Sequence, residues 1–222
     1  MRRRSPTWLW SALLLPTLCA EARAEPPVIC DGRAAGGYAA FPDVCRLEGG
    51  ELLCVFYSGA RHVTTPSAEW PKGGRIMAIR SKDEGRTWGK PVVIMDTPDD
   101  DRDPSLTRLG DGTLLMNWVA RVPAKPPSRE PWSGIRVLLS RSTDSGRTWS
   151  AAERVGIESD DSFACSSPIR QLPDGSLLLP LYCGRKQGGT FGATAKSRDR
   201  GRTWEDLALI GFGSGLFGGS PK

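Results

Sequence analysis

Three polar loops and one strand start hold the side chains of this 222-residue chain whose types could do chemistry. Residues 58–74 carry Arg61, His62 and Glu69, a second loop carries Glu130, and a third carries Arg185 and Lys186. Arg102-Asp103-Pro104 stands just ahead of an apolar run. Guanidinium groups bind carboxylates and other anions through charge-assisted hydrogen bonds. A carboxyl such as Glu69, if partly buried, can hold and release a proton, and His62 could share that work. The plainer roles stay open beside these: a solvated Glu69, a packed His62, and an Arg102 paired with Asp100 or Asp101. His62 is the only histidine and no C-x-x-C or His/Cys cluster exists, so neither a metal nor a cofactor is expected.

What positions these residues is a repeat. The phrase S-x-D-x-G-R-T-W occurs three times, at Ser81-Lys82-Asp83-Glu84-Gly85-Arg86-Thr87-Trp88, at Ser142-Thr143-Asp144-Ser145-Gly146-Arg147-Thr148-Trp149 and at Ser197-Arg198-Asp199-Arg200-Gly201-Arg202-Thr203-Trp204. The three aspartates are 61 and 55 residues apart, which marks a structural repeat. An Asp side chain accepts hydrogen bonds from backbone N–H groups a residue or two on, and Gly supplies the positive φ of a tight turn. The Trp that follows covers the turn with apolar area. Each phrase therefore reads as a self-stapled hairpin turn that holds the fold and touches no substrate.

Each phrase closes a longer unit. Two apolar runs meet at Gly49-Gly50, at Asp111-Gly112 and at Asp174-Gly175, the last glycines 62 and 63 residues apart; these are hairpin signals. The innermost strand of the third unit is expected from Ser167 onward. A polar loop and a third strand follow, Arg75–Arg80, Ile135–Arg141 and Thr190–Lys196, and a fourth comes after the phrase, as at Pro91–Met95. Four antiparallel strands in about 60 residues describe one blade of a β-propeller. Tyr57 and Tyr182 end inner strands and are expected to pack.

The N-terminus reads as an export signal. Met1-Arg2-Arg3-Arg4 is a charged start, residues 7–20 are apolar but short for a bilayer span, and Ala22-Arg23-Ala24 fits small-x-small cleavage. Residues 1–24 hold a net +3 of the chain's formal +5. The remainder has no basic stripe interleaved with aromatics, which argues against nucleic acid as a partner. Export permits disulfides, and Cys30, Cys45, Cys54, Cys165 and Cys183 are odd in number. Cys45 and Cys54 flank Gly49-Gly50 symmetrically, so they are expected opposite each other on the hairpin, bonded or as small buried hydrophobes.

The phrase and its unit resemble the sialidase superfamily, whose repeats carry the Asp-box motif S-x-D-x-G-x-T-W. The resemblance covers about residues 38–208. It implies an all-β fold, a β-propeller of sialidase type with three of six expected four-stranded blades in this chain: 38–98, 99–160 and 161–210, after a linker at 25–37 and before a Gly/Ser-rich tail at 211–222. Ser81, Asp83, Gly85, Thr87, Trp88, Ser142, Asp144, Gly146, Thr148, Trp149, Ser197, Asp199, Gly201, Thr203 and Trp204 are then structural Asp-box residues.

The family's activity is exo-hydrolysis of terminal acidic sugars. It uses an arginine triad, an acid/base Asp on a first-blade loop and a late Tyr–Glu nucleophile pair. The first Arg belongs in an Arg-x-Pro, where this chain has Ala40-Phe41-Pro42; the second unit has Arg102-Asp103-Pro104. The first-blade loop lacks Asp, which leaves Glu69 and His62 as candidate catalytic residues. Arg61, Arg102, Asp103, Glu130 and Arg185 are candidate substrate contacts. The late pair is absent, so the expectation is an exported, periplasmic or extracellular sialidase-like glycoside hydrolase or a fragment of one, with no sialidase turnover by this chain alone. The alternative is a non-catalytic propeller that binds carbohydrate or protein. Open blade edges would permit self-association.

Overall fold

The computed structural model describes residues 28–30, 32–33, 36–125, 130–157, 162–184 and 189–210. These form three antiparallel sheets. The first contains β1 (Tyr38–Arg46), β2 (Leu52–Gly59), β3 (Arg75–Ser81) and β4 (Val92–Met95) in that order. The second contains β5 (Asp100–Arg108), β6 (Leu114–Pro123), β7 (Trp132–Ser142) and β8 (Glu153–Arg154). In the third, β10 (Arg170–Gln171), β11 (Leu177–Gly184), β12 (Thr190–Ser197) and β13 (Glu205–Ile210) lie in sequence, and β9 (Ser162–Ala164) also pairs with β11. The innermost strand of the third sheet is thus two pieces that begin at Ser162, earlier than the expected Ser167. No helix among the described residues is long and apolar enough to cross a membrane.

Each first hairpin is closed by the same five-residue turn. Leu47, Leu109 and Leu172 donate their N–H to Glu51, Thr113 and Ser176, and Gly50, Gly112 and Gly175 donate back to the three leucines. The glycines sit at φ 89°, 86° and 82°, a region costly for a residue with Cβ.

The phrase makes its own network three times. Ser81, Ser142 and Ser197 donate through Oγ to Asp83, Asp144 and Asp199, and accept from the N–H of Gly85, Gly146 and Gly201. Each Asp also accepts both the N–H and the hydroxyl of the Thr four residues on, further along the chain than an ordinary Asx turn reaches. The hydroxyl of Thr87 holds the Asp83 carboxyl down at about 2, and Asp144 and Asp199 are lowered in the same way.

Strands buried on both faces are apolar throughout. Leu114, Met116 and Trp118 of β6 pack against Leu53, Val55, Ile76 and Ala78 of the first sheet. The alternate residues Leu115 and Val119 pack with Leu177, Leu179 and Leu181 of the third. The sheets are also stitched by side chains. Arg80 donates to Ser145 O at 2.8 Å and Arg141 to Gly201 O at 2.7 Å, each reaching into the phrase of the next sheet.

The same alternation separates two cysteines. Cys45 pairs with Leu53 and Cys54 with Val44, so the two point to opposite faces. The expectation that they oppose each other is corrected by this one-residue offset. All five described cysteines are free thiols.

Candidate active site

The three sheets share a polarity. Tyr38 pairs with Gly59, Asp100 with Arg121 and Ser162 with Gly184, so the starts of β1, β5 and β9 and the ends of β2, β6 and β11 lie at one end. The segments holding Arg61, His62, Glu69 and Glu130 leave from that end. The phrases lie at the other, beside the paired Leu52–Ser81, Leu114–Ser142 and Leu177–Ser197.

At the first end the centre is Arg102. A bulge in β5 between Arg102 and Ser105 puts Asp103 at φ 50°, and the matching bulge in β1 puts Phe41 at φ 53°. Both bulges precede or include a Pro, whose missing N–H suits a break in the ladder. They turn Arg102 and Phe41 toward each other. The Arg102 guanidinium lies 5.5 Å from the Phe41 ring centroid and 5.3 Å from that of Tyr57. Its Nη1 donates to His62 O at 2.6 Å and lies 3.6 Å from Asp100 Oδ2; its Nη2 lies 4.0 Å from Asp103 Oδ1. The side chain is 5% exposed. The structure therefore pairs Arg102 with Asp100 and Asp103. Asp101 turns away and accepts hydrogen bonds from Trp118 Nε1 at 2.7 Å and from Thr97.

Asp100 accepts from Gly74 N at 2.6 Å and lies 3.1 Å from the Tyr57 hydroxyl. Its Oδ2 and the Asp103 Oδ1 are buried without a hydrogen-bond partner among the described residues. Burial raises the pKa of both carboxyls, and Arg102 and Arg121 oppose the rise. His62 also opposes the rise at Asp103. The exposed His62 ring lies edge-on to Tyr38 and Phe41, with Nδ1 3.3 Å from the Tyr38 hydroxyl. Tyr182 of the third sheet is 45% exposed, and its phenol is raised by burial and by Asp103.

The candidates from sequence therefore divide. His62, Arg102 and Asp103 come together, and Tyr57 packs as expected. Glu69 is exposed on the turn that Ser67 N closes to Trp70 O and makes no hydrogen bond or ion pair among the described residues. Arg61 is exposed, with its carbonyl near the Tyr57 hydroxyl. Glu130 is exposed ahead of β7. Arg185 lies outside the described residues. Two members were missed: Arg121, legible only through its register opposite Asp100, and Tyr182, which was expected to pack and instead faces this end. A separate cavity of about 740 Å³ beside Arg154, Arg202 and Trp204 lies at the outer strands β8 and β13 and takes no part in the cluster.

No protein-family model and no curated protein matches the chain. Solved structures do. A protein of unknown function from Dyadobacter fermentans superposes with a TM-score of 0.63 at 23% identity, over 76% of this chain and 53% of that one. A Hadza microbial sialidase gives 0.61 at 20%, over 78% and 38%. The Trypanosoma rangeli sialidase in complex with sialic acid gives 0.59 at 16%, over 79% and 31%. The fold is sialidase-like. At these identities the likeness establishes the sialidase-like fold alone. The chain spans about half or less of the length of each of these structures.

Proposed function

We propose that this chain is a three-blade portion of a sialidase-type β-propeller, exported after cleavage near Ala24, whose complete form hydrolyses terminal acidic sugars. The S-x-D-x-G-R-T-W phrases are its Asp boxes, and they pin the outer turns away from the chemistry. The observation that carries the reading is the convergence of Arg102, Arg121, Asp103, His62 and Tyr182 from three sheets at the loop end. Arg102 is already held by Asp100, His62 O and two rings, so it shapes the site. Arg121 is half-buried with no ion pair among the described residues, and it suits a sugar carboxylate. Asp103, raised by burial and short of one hydrogen bond, suits a proton donor to the glycosidic oxygen. Both assignments replace Glu69, which is exposed and makes no hydrogen bond or ion pair among the described residues.

The complete protein would be assayed against a panel of sialosides and uronic-acid glycosides. We expect release of free acidic sugar. Asp103→Asn is expected to lower kcat by about 100-fold or more, with Arg121→Ala acting mainly on KM. No turnover on any member of the panel would overturn the hydrolase reading, and glycan binding without turnover would make the chain part of a lectin.

A further inference from the structure

The first sheet has two apolar faces, and only one meets the second sheet. Cys54, Phe56, Met77 and Ile79 form the other, with Cys54 paired to Ile79 and Phe56 to Met77 across the strands. These residues are 5%, 5%, 3% and 1% exposed. Cys30, from the segment before β1, packs against this cluster together with Trp88. The same segment presses on the loop that carries His62. Gly37 N donates to Gly32 O at 2.6 Å, and a Cβ at Gly36 would fall 2.0 Å from the ring of buried Trp70. The described residues of this segment therefore act as a strap, with Cys30 against the free face and Gly36 against Trp70.

The segment brings Cys30 to a cluster that itself contains Cys54. The positions equivalent to Cys54 in the second and third units, Met116 and Leu179, are ordinary core residues. The other cysteines lie elsewhere. Cys45 points to the opposite face of the sheet and packs with the second sheet's cluster, and Cys165 and Cys183 belong to the core between the second and third sheets. Of the five, Cys54 thus has one cysteine neighbour in its own cluster.

We propose that Cys30 and Cys54, reduced in the structure, form a disulfide that staples the strap to the first sheet. The oxidant is a small-molecule or protein disulfide. The thiolate of half-buried Cys30 attacks one of its sulfurs and expels a thiolate. Cys54 then attacks the Cys30 sulfur of the mixed disulfide and expels the second. Two protein thiols lose two protons and two electrons, and one disulfide becomes two thiols. Burial pushes the Cys54 thiol up to about 11, so the second step is the slow one.

The test uses the purified chain equilibrated with glutathione disulfide, alkylated in denaturant and mapped without reduction. The expected result is one linked peptide pair, Cys30 with Cys54, and alkylated Cys45. The linkage closes a loop of 24 residues, so dithiothreitol should lower Tm by about 8 °C. Cys30→Ser should show the lower Tm with or without reductant, and Cys30→Ala guards against an effect peculiar to serine. Full alkylation of Cys30 and Cys54 after oxidation overturns the proposal, and so does a wild-type Tm that ignores the reductant.

Discussion

At Arg102 a permanently charged guanidinium sits against two aromatic rings and beside two carboxyls, with a backbone carbonyl 2.6 Å away. Removing one partner from such a buried set leaves an uncompensated charge, which costs about 3–5 kcal/mol. Its neighbour Asp101 is handled differently. It is fully buried, and desolvation raises its carboxyl to about 6 despite hydrogen bonds from Thr97 and Trp118. A folded-state pKa above the ordinary value of 3.8 means the fold prefers the protonated form. Its contribution is fully present below about pH 4 and is lost as pH rises through about 6. The loss is on the order of 3 kcal/mol for a shift of this size. The phrase aspartates act in the opposite sense and weaken the fold only as pH falls well below 4. Asp101→Asn, which keeps an acceptor and never ionises, should flatten the decline in stability between pH 4.5 and pH 8. Urea unfolding at those two values reads the difference, and equal slopes for variant and wild type would contradict the account.

Elements are held to one another by a rule that repeats: the arginine just before a phrase serine reaches into the next sheet's phrase. Arg141 does this across the second and third sheets, donating to Gly201 O while its Nη1 lies 2.7 Å from Glu153. Arg141→Ala should loosen the third sheet by about 1.5 kcal/mol, the scale of a charged hydrogen bond to a carbonyl. Hydrogen exchange should speed up in β11 and β12 and stay unchanged in β1–β3. Strands, hairpin glycines and phrase turns were legible in sequence because each depends on residues within about ten positions of one another. The offset that sends Cys45 and Cys54 to opposite faces was not, because a five-residue turn is one residue out of register with a symmetric count from Gly49-Gly50. Arg102 could be read as a free anion ligand until Phe41, Tyr57 and the His62 carbonyl, some 40 to 61 residues earlier, were seen to enclose it. Arg121 stayed hidden because only its pairing with Asp100 marks it.

For the whole molecule, three sheets contribute side chains to one end, and none supplies the whole cluster. The second supplies Arg102, Asp103 and Arg121, the first supplies His62 and Tyr57, and the third supplies Tyr182. Tyr182 has its side open: the third sheet's far face, with Leu178, Pro180, Thr194 and Lys196, is only half covered, whereas the equivalent Leu53, Val55 and Ala78 lie buried beneath the second sheet. On the proposed function Asp103 and Arg121 would orient an acidic sugar here, but hydrolysis also needs a nucleophile held on the opposite side of the anomeric carbon. The described residues place no carboxylate or activated tyrosine there, and the solved sialidase-like structures are roughly two to three times the length that this chain covers. The purified 222-residue chain should therefore release no free sialic acid from sialosides, while the complete protein of the proposed function does. An end-point assay with both in parallel separates the two ideas: release by the chain alone would show that three sheets suffice, and would require a nucleophile among the residues already in view.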